Sequence, residues 1–402
     1  MTEVVWITRT YPWREQPTFG FFYQTQARAL ARLGLAITVA CPTPMAPWPL
    51  PRLRDRWRIY AEAPARAIDD GVTVVRPRYP NVPGEPSWAR PDALVARSMW
   101  GARAEWAGAK VIHGHYSVTG LAAWRLARRT GLPYVLTFHG SDMNSWPDEH
   151  PERLDDLRNA VAGARAVIAV SSALADRVRA VTGVSATHLP LGSDHRAMAA
   201  AAVDRAAARA ELGAGDESIV VLFVGNLNFQ KGVRELVDAL VRLGPPYRGV
   251  LIGAGPLAGY GMDAAGADRV IDYRGAQDHD AVVRAMSGAD VFVLPSYTEG
   301  MPTVLVEAGS LRLPVIASGV GGIPELLGED RGAMLLEVSA EGVERALLAF
   351  AADRDSARAA ADRLRAFVLD RYDVDRNADQ LLDLYRSIAP DLITGDPAAG
   401  RV

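Results

Sequence analysis

Two glutamates lie eight positions apart in the stretch SYTEGMPTVLVEA, residues 296–308, with a glycine and a proline between them. The apolar run DVFVLP before this stretch predicts a buried strand, and the pattern after it predicts a helix. Pro302 suits the first helical position and Thr303 would follow it. Free N–H groups at such a helix start, together with the helix dipole, form a site suited to a phosphate.

Glu299 then lies in the loop beside the anion, and Glu307 lies in the second turn of the helix. Ionised carboxylates only accept hydrogen bonds, so both suit hydroxyl groups of a sugar or a ribose. A phosphate between two hydroxyl-bearing rings describes a nucleotide sugar. For Glu299 alone, a solvated glutamate at a helix start is the better interpretation, whereas the complete string favours the nucleotide sugar.

The elements that must position these residues follow a regular rhythm. Short apolar strands alternate with helical patterns in both halves of the chain, which predicts parallel, doubly wound sheets covered on both faces. We expect two Rossmann-like α/β/α domains, residues 1–192 and 193–375, with a late helix at 376–392 packing back on the first. Residues 189–217 are Ala-rich and flanked by glycines, which indicates a linker. Ligands of such sheets bind at the carboxyl ends of strands, so the active site is expected in a cleft between the domains.

Two segments of the first half depart from this rhythm. Residues 60–90 are Pro-rich and are interpreted as an inserted surface excursion. PRLRDRWRIY, residues 51–60, gathers four arginines around Trp57. A solvated arginine face is the preferred interpretation, and a contact for an anionic acceptor or a membrane surface is the alternative.

Bulk properties exclude several classes of protein. The chain has 402 residues and a net charge of −3, which does not indicate a nucleic-acid partner. Cys41 is the single cysteine, so no internal disulfide can form, which fits a reducing cytoplasm. Neither a signal peptide nor an apolar run of membrane-spanning length is visible. We expect a cytoplasmic protein, with peripheral contact to the inner face of the membrane as an option.

Several motifs together resemble the retaining glycosyltransferases of family 4 (glycosyl transferases group 1), which have the GT-B fold. The EGMP motif with its second glutamate is similar to the signature of that family. FVGNLNFQKG at 223–232, LIGAGP, YRGAQ at 273–277 and SGVGGIPEL match further segments of its second domain. YPWREQPTFGFF and TFHGSD are similar to two loops of its first domain. The resemblance covers most of the chain.

The resemblance implies a role for each matching residue. Lys231 would bind the donor diphosphate, Glu307 the ribose hydroxyls and Glu299 the transferred sugar, and His139 would line that sugar near the reacting carbon. Glu299, Lys231 and His139 are therefore the expected catalytic residues. The other expected donor-binding residues are Gly20, Gly225, Asn226, Arg274, Gly275, Gly300, Met301, Pro302 and Thr303. The expected acceptor-side residues are Arg14, His115 and Asp142.

Competing interpretations accompany three of these positions. Many family members carry arginine where this chain has Asn226, and Arg14 is a candidate to supply the missing charge. A lysine that opens a helix is often merely solvated, and a histidine at a strand end is often structural, so Lys231 and His139 have ordinary alternatives. His113 and His115 resemble a metal pair, but no third and fourth ligand follow at a convincing spacing.

The implied reaction transfers a hexose from a nucleotide diphosphate sugar, with UDP favoured, and retains the anomeric configuration. It needs no metal and no cofactor beyond the donor. The acceptor would be a hydroxyl group of a glycan, a lipid-linked molecule or a small natural product. Three alternatives remain: a nucleotide-sugar epimerase of the same fold, a dinucleotide enzyme using Gly253, Gly255 and Gly259, and a non-enzymatic sensor. The glycine spacing fits a dinucleotide site poorly because it is one residue too long and the strand before it is not the first of its domain.

Overall fold

The computed structural model describes residues 2–17, 19–45, 49, 52, 55–80, 90–260 and 270–392. The chain divides into two compact units. The first unit contains the chain up to Gly192 and again from Val374 onward, and the second contains Ser193–Asp373.

The first unit is built on an eight-stranded sheet. The ten strands of the unit in chain order are β1 Val4–Ile7, β2 Ile37–Ala40, β3 Thr43–Met45, β4 Arg66–Asp69, β5 Val72–Val75, β6 Arg78–Pro80, β7 Val111–His115, β8 Tyr134–Phe138, β9 Ala166–Ala169 and β10 Thr187–His188. Two of them, β3 and β6, form a separate pair. The sheet order is β10-β9-β8-β7-β1-β2-β5-β4, and every pair is parallel except β4 with β5. The inner strands are buried along their whole length, as their apolar sequences predict.

The helices of the first unit fill the connections between these strands. They are α1 Phe21–Arg32, α2 Asp55–Glu62, α3 Pro91–Gly101, α4 Ser117–Thr130, α5 Ser141–Asn144, α6 Trp146–Glu149, α7 Leu154–Ala162 and α8 Ser172–Thr182.

The second unit repeats the arrangement with six parallel strands. Its elements are β11 Ile219–Val224, β12 Tyr247–Ile252, β13 Ile271–Tyr273, β14 Val291–Leu294, β15 Val315–Ser318, β16 Ala333–Leu335, α9 His195–Ala201, α10 Arg205–Glu211, α11 Val233–Leu243, α12 His279–Gly288, α13 Thr303–Ser310, α14 Ile323–Leu327, α15 Ala340–Ala352 and α16 Arg354–Arg371. The sheet order is β13-β12-β11-β14-β15-β16. The predicted parallel α/β organisation is confirmed in both units.

The last helix, α17 Val374–Ile388, returns to the first unit and packs on α1. Leu381 and Tyr385 join the same apolar core as Val4 and Trp6. The Tyr385 hydroxyl accepts a hydrogen bond from the Trp6 indole N–H at 2.8 Å and bonds to Nδ1 of the buried His113. The end of the chain therefore completes the core begun by its first strand.

The interpretation of residues 60–90 as a surface excursion was wrong where the structure describes them. β4 and β5 form a hairpin that extends the large sheet, and Val72 and Val74 are buried in its core. The turn between the strands uses Asp70 and Gly71, both with positive φ. Asp-Gly is a strong hairpin signal, so the sequence contained the information.

The predicted linker at 189–217 was also wrong in part. The boundary between the units falls at Gly192, but α9 and α10 follow within this segment. Asp194 and Asp204 cap the starts of these two helices through their side chains. A composition rich in alanine favours helix, and these caps fix where each helix begins.

Candidate functional site

Lys231 and Glu299 meet at the carboxyl ends of two adjacent strands in the second unit. β11 leads into a short 3₁₀ turn, Phe229–Lys231, and β14 leads into the loop that carries Glu299. The Lys231 Nζ lies 2.6 Å from Glu299 Oε1, and Ser296 Oγ donates to the same oxygen at 2.7 Å. The Glu299 residue is only 8% exposed, so this is a largely buried ion pair. Two residues that the sequence assigned separately are thus in direct contact.

The backbone around this pair is tightly packed. Gly232 has φ +64°, and a Cβ there would lie 2.0 Å from the Pro295 carbonyl oxygen. Gly321 has φ +58°, and its Cβ would lie 2.2 Å from the Glu299 carbonyl oxygen. Only glycine fits these two contacts, which hold the lysine turn and the glutamate loop in place.

Asn228 and Ser296 are site residues that sequence reasoning did not single out. The Asn228 side chain accepts a hydrogen bond from the Lys231 backbone N–H at 3.1 Å. It therefore fixes the turn that aims Lys231. Asparagine before a short helical turn is a capping signal, whereas nothing in the sequence pattern reveals that Ser296 binds Glu299.

Helix α13 begins beside Glu299 at Thr303. The structure corrects the predicted helix start by one position, since Pro302 has extended backbone and precedes the first helical residue. Gly300, Met301 and Pro302 are buried, and Thr303 is half-buried. In the described structure, no side chain caps this start. The backbone N–H groups of the first turn of α13 therefore lie next to the loop that carries Glu299.

Glu307 lies in the second turn of α13, as predicted, and its side chain is 12% exposed. Its Oε1 lies 3.6 Å from Nε2 of His279, the first residue of α12. Burial lowers the pKa of His279, but the carboxylates of Glu307, Asp280 and Asp278 together outweigh it and the net pKa is raised. No motif in the sequence pointed to this pairing, because the two residues meet only through helix packing.

The remaining predicted donor-side residues lie on neighbouring loops of the second unit. Gly225 and Asn226 follow β11, and the Asn226 side chain is exposed. Gly275 follows β13, and its carbonyl accepts the Gly253 N–H at 2.8 Å. Arg274 pairs with Asp272 at 2.9 Å and donates to the Glu211 carbonyl oxygen. The guanidinium of Arg274 thus has partners within its own unit, and its backbone N–H donates to the Leu251 carbonyl oxygen at 3.0 Å.

The dinucleotide alternative depended on glycines that have a different structural purpose. A Cβ at Gly253 would lie 1.9 Å from the Gly225 carbonyl oxygen, and one at Gly255 would lie 2.4 Å from the Leu227 carbonyl oxygen. A Cβ at Gly259 meets nothing within 4 Å. The first two glycines therefore let the loop after β12 pack on the loop after β11.

In the first unit, Asp142 holds the loop that carries His139. Its carboxylate accepts the backbone N–H of His139 at 2.9 Å and that of Gly140 at 2.7 Å. Nε2 of His139 lies 3.1 Å from Nδ1 of His115, so three predicted residues form one cluster. Burial lowers the pKa of His139 to about 3. Burial and the neighbouring His113 lower the pKa of His115 well below its usual value, so both imidazoles are neutral.

Nδ1 of His139 is buried without a hydrogen-bond partner among the described residues. A buried polar atom of this kind is costly unless a ligand or solvent satisfies it. Nε2 of His115 is also without a partner among the described residues, so the pair of histidines is a candidate for ligand contact in the first unit.

Two other predicted residues of the first unit lie apart from this cluster. Gly20 has φ +86° and precedes α1, and a Cβ there would lie 2.6 Å from Thr10 Oγ1. Internal packing therefore requires glycine at position 20. The Arg14 side chain is 92% exposed, with Glu15 at 3.8 Å. Among the described residues of this unit, no hydrogen bond or ion pair joins Arg14 to the cluster around His139.

The titration of the Asp142 carboxyl group is expected to make the stability of the protein depend on pH. Burial raises its pKa to about 7 from 3.8, although backbone N–H groups oppose this. Between these values the folded state keeps a proton that the unfolded state releases. The free energy of unfolding should therefore fall as pH rises from about 4 to 7, by an amount of the order of 4 kcal/mol.

Urea unfolding of the wild type and Asp142→Asn at several pH values measures this effect. The asparagine variant lacks the titrating group, so its stability relative to wild type should rise across that range. Parallel curves for the two proteins would contradict a raised pKa.

Within the described ranges of the chain, no helix is both long and apolar enough to cross a bilayer. Within the same ranges, no three His, Cys, Asp or Glu side chains are grouped so that they could hold a metal ion.

Family models match both halves of the chain. Residues 22–195 match "Glycosyltransferase Family 4", and residues 204–367 match "Glycosyl transferases group 1". A relative from Bacillus subtilis, named "Putative teichuronic acid biosynthesis glycosyltransferase TuaC", is 32% identical over 96% of this chain and 98% of its own length. Alpha-maltose-1-phosphate synthase of Mycolicibacterium smegmatis is 29% identical over 70% of this chain and 80% of its own.

Solved structures share the fold over nearly the whole chain. Sucrose-phosphate synthase from Thermosynechococcus elongatus has a TM-score of 0.79 at 21% identity and covers 96% of this chain and 99% of its own. Anabaena HepE in complex with UDP-glucose has a TM-score of 0.73 at 16% identity, covering 96% and 100%.

Proposed function

Because this chain belongs to the glycosyltransferases that join a family 4 domain to a group 1 domain, we propose that it transfers a sugar from a nucleotide diphosphate donor to a hydroxyl group of a glycan. Its two α/β units have the predicted GT-B fold. The structural relative HepE binds UDP and UDP-glucose, which favours a UDP-sugar donor. The name of the Bacillus relative, which refers to teichuronic acid biosynthesis, favours a glycan among the acceptors that the sequence left open.

The contact between Lys231 and Glu299 carries the proposal. An ammonium group has three N–H donors, and the bond to Glu299 uses one of them. The others can bind oxygens of a diphosphate while Glu299, fixed by Ser296, accepts from a sugar hydroxyl. The start of α13 adds backbone N–H groups beside the same loop. One compact group of residues thus offers complementary partners for a phosphate and for the attached sugar.

These groups would act mainly on the departing diphosphate. Negative charge develops there as the bond to the sugar breaks, and Lys231 and the helix start stabilise it. Glu307, four residues after the first residue of α13, would accept the ribose hydroxyls. Its Oε1 lies 3.6 Å from Nε2 of His279, which attracts the carboxylate when the imidazole is protonated.

We further propose retention of the anomeric configuration without a covalent intermediate. The Glu299 carboxylate is engaged by Lys231 and Ser296, and that of Asp142 by backbone N–H groups. Neither carboxylate is therefore disposed as a nucleophile. A front-face substitution, in which the leaving phosphate accepts the proton of the acceptor hydroxyl, agrees with this arrangement. The reaction as proposed requires no metal.

The proposal is tested by offering UDP-sugars with and without oligosaccharide acceptors. We expect UDP release that depends on the acceptor, and a product whose anomeric linkage by NMR matches that of the donor. An isomerised donor sugar formed without acceptor would favour an epimerase. An inverted linkage would contradict retention, and no turnover with any pair would contradict transfer.

A further inference from the structure

A groove between α3 and α4 of the first unit gathers positive charge. It is open and has a volume of about 690 Å³. Arg97, Trp100, Arg128 and Arg129 line it, and Arg103 stands beside Trp100. We call these five residues the arginine groove.

The four arginines of the arginine groove are exposed, and none has a carboxylate partner in the described parts of the chain. Nearby arginines of the same unit differ in this respect. Arg66 pairs with Glu105, Arg90 with Asp156 and Arg125 with the buried Asp92. Since like charges repel, four such neighbours on one surface indicate a site for an anionic ligand.

Tryptophan rings lie beneath three of these four guanidinium groups. The Arg129 guanidinium carbon lies 3.6 Å from the ring centre of Trp100, and that of Arg103 lies 5.3 Å from it. Arg128 lies 5.3 Å from the ring centre of Trp124. Nη1 of Arg103 donates to the Trp100 carbonyl oxygen at 3.3 Å. A guanidinium over a ring can still direct its other in-plane N–H donors at the two oxygens of a carboxylate or phosphate.

The arginine groove is distinct from the cluster around His139. Helix α4 begins at Ser117, just beyond β7 and His115, and Ser117 accordingly bonds to the Asp142 carbonyl oxygen. Arg129 lies twelve residues further along, which is about 18 Å at 1.5 Å per residue. A ligand that reaches both places must be an extended chain.

The apolar content of this surface argues against a bilayer as the ligand. Peripheral membrane helices insert large apolar side chains between lipids. None of the exposed large apolar residues of the described chain lies between residues 90 and 130. Trp100 and Trp124 are half-buried beneath arginines.

We propose that the arginine groove binds an anionic glycan, whose carboxylate or phosphate groups pair with the four arginines at a distance from the reacting end. The glycan nature of the ligand rests on the proposed function. The groove would thus select charged polymeric acceptors over neutral ones of the same length.

The test uses a short oligogalacturonate as the probe, with binding measured by calorimetry in the absence of donor. We expect binding that weakens with salt, as exposed ion pairs do, and weaker binding of a neutral maltooligosaccharide of equal length. The combined variant Arg97→Gln, Arg103→Gln, Arg128→Gln and Arg129→Gln should bind about tenfold more weakly or worse.

A control variant changes the same net charge elsewhere. It combines four exposed arginines on other helices: Arg158→Gln, Arg179→Gln, Arg196→Gln and Arg358→Gln. It should bind the oligogalacturonate like the wild type. Equal losses in both variants would show attraction by overall charge only, and overturn the proposal.

The remaining outcomes are equally decisive. Failure of the wild type to bind oligogalacturonate would overturn the proposal. Groove-dependent binding to phosphatidylglycerol vesicles but not to oligogalacturonate would assign the surface to a membrane instead. Because no turnover is involved, loss of the proposed transfer activity would leave the binding result unaffected. Thermal unfolding of both variants checks that they remain folded.

Discussion

Lys231→Met is expected to lower kcat by about 100-fold or more, because it removes the charge that faces the departing diphosphate. Methionine keeps most of the length and apolar surface of the lysine side chain. The readout is UDP release in the presence of donor and acceptor. Lys110→Met is the matched control, since Lys110 is the other lysine of the sequence. It pairs with Glu3 and Asp391 in the first unit and should retain normal turnover.

The ion pair complicates this variant in a way that can be measured. Losing Lys231 leaves the buried Glu299 carboxylate with less compensation, which lowers stability as well as activity. Adding Glu299→Gln should recover much of the stability but none of the activity. A double-mutant cycle separates the two effects. Normal kcat in Lys231→Met would contradict the assignment of the phosphate site.

Gly232→Ala is expected to lower the free energy of unfolding by more than about 3 kcal/mol, or to prevent folding. Its Cβ would lie 2.0 Å from the Pro295 carbonyl oxygen, in a backbone conformation with φ +64°. Backbone must move to relieve that contact, and the loop bearing Glu299 starts at Pro295. Urea unfolding measures the effect.

Gly183→Ala, in the first unit, provides the matched control. Gly183 has φ +77° and the same left-handed conformation as Gly232, but a Cβ there meets nothing within 4 Å. It should cost only the backbone strain, about 1 kcal/mol. Similar losses in the two variants would mean that the contact with Pro295 is unimportant, whereas the difference between them measures it.

The fold could be predicted where the local sequence pattern of an element indicates its type. Buried parallel strands such as β7 and β11 are uninterrupted apolar runs, and their helices follow with regular spacing. The hairpin of β4 and β5 was missed because β4 is short and half-exposed, and its surroundings are rich in proline. Its Asp-Gly turn was a sufficient signal that composition obscured.

The sequence predicted which residues belong to the candidate site, but it did not predict which of them are in contact. Lys231 and Glu299 are 68 positions apart and meet because β11 and β14 are neighbours, and strand order is not written in local sequence. The pairing of Glu307 with His279 depends in the same way on how two helices pack. The roles of these residues remain predictions, whereas their positions are now described.

The return of α17 to the first unit affects the order in which the two units can fold during synthesis. Trp6 emerges among the first residues, yet the hydroxyl that accepts its indole N–H belongs to Tyr385, 379 positions later. The intervening second unit can acquire its structure during synthesis, since its contacts are contained in Ser193–Asp373. Most of the first unit is translated earlier, but its core is incomplete until α17 has been synthesised. Order of translation and order of completion are therefore reversed in this chain.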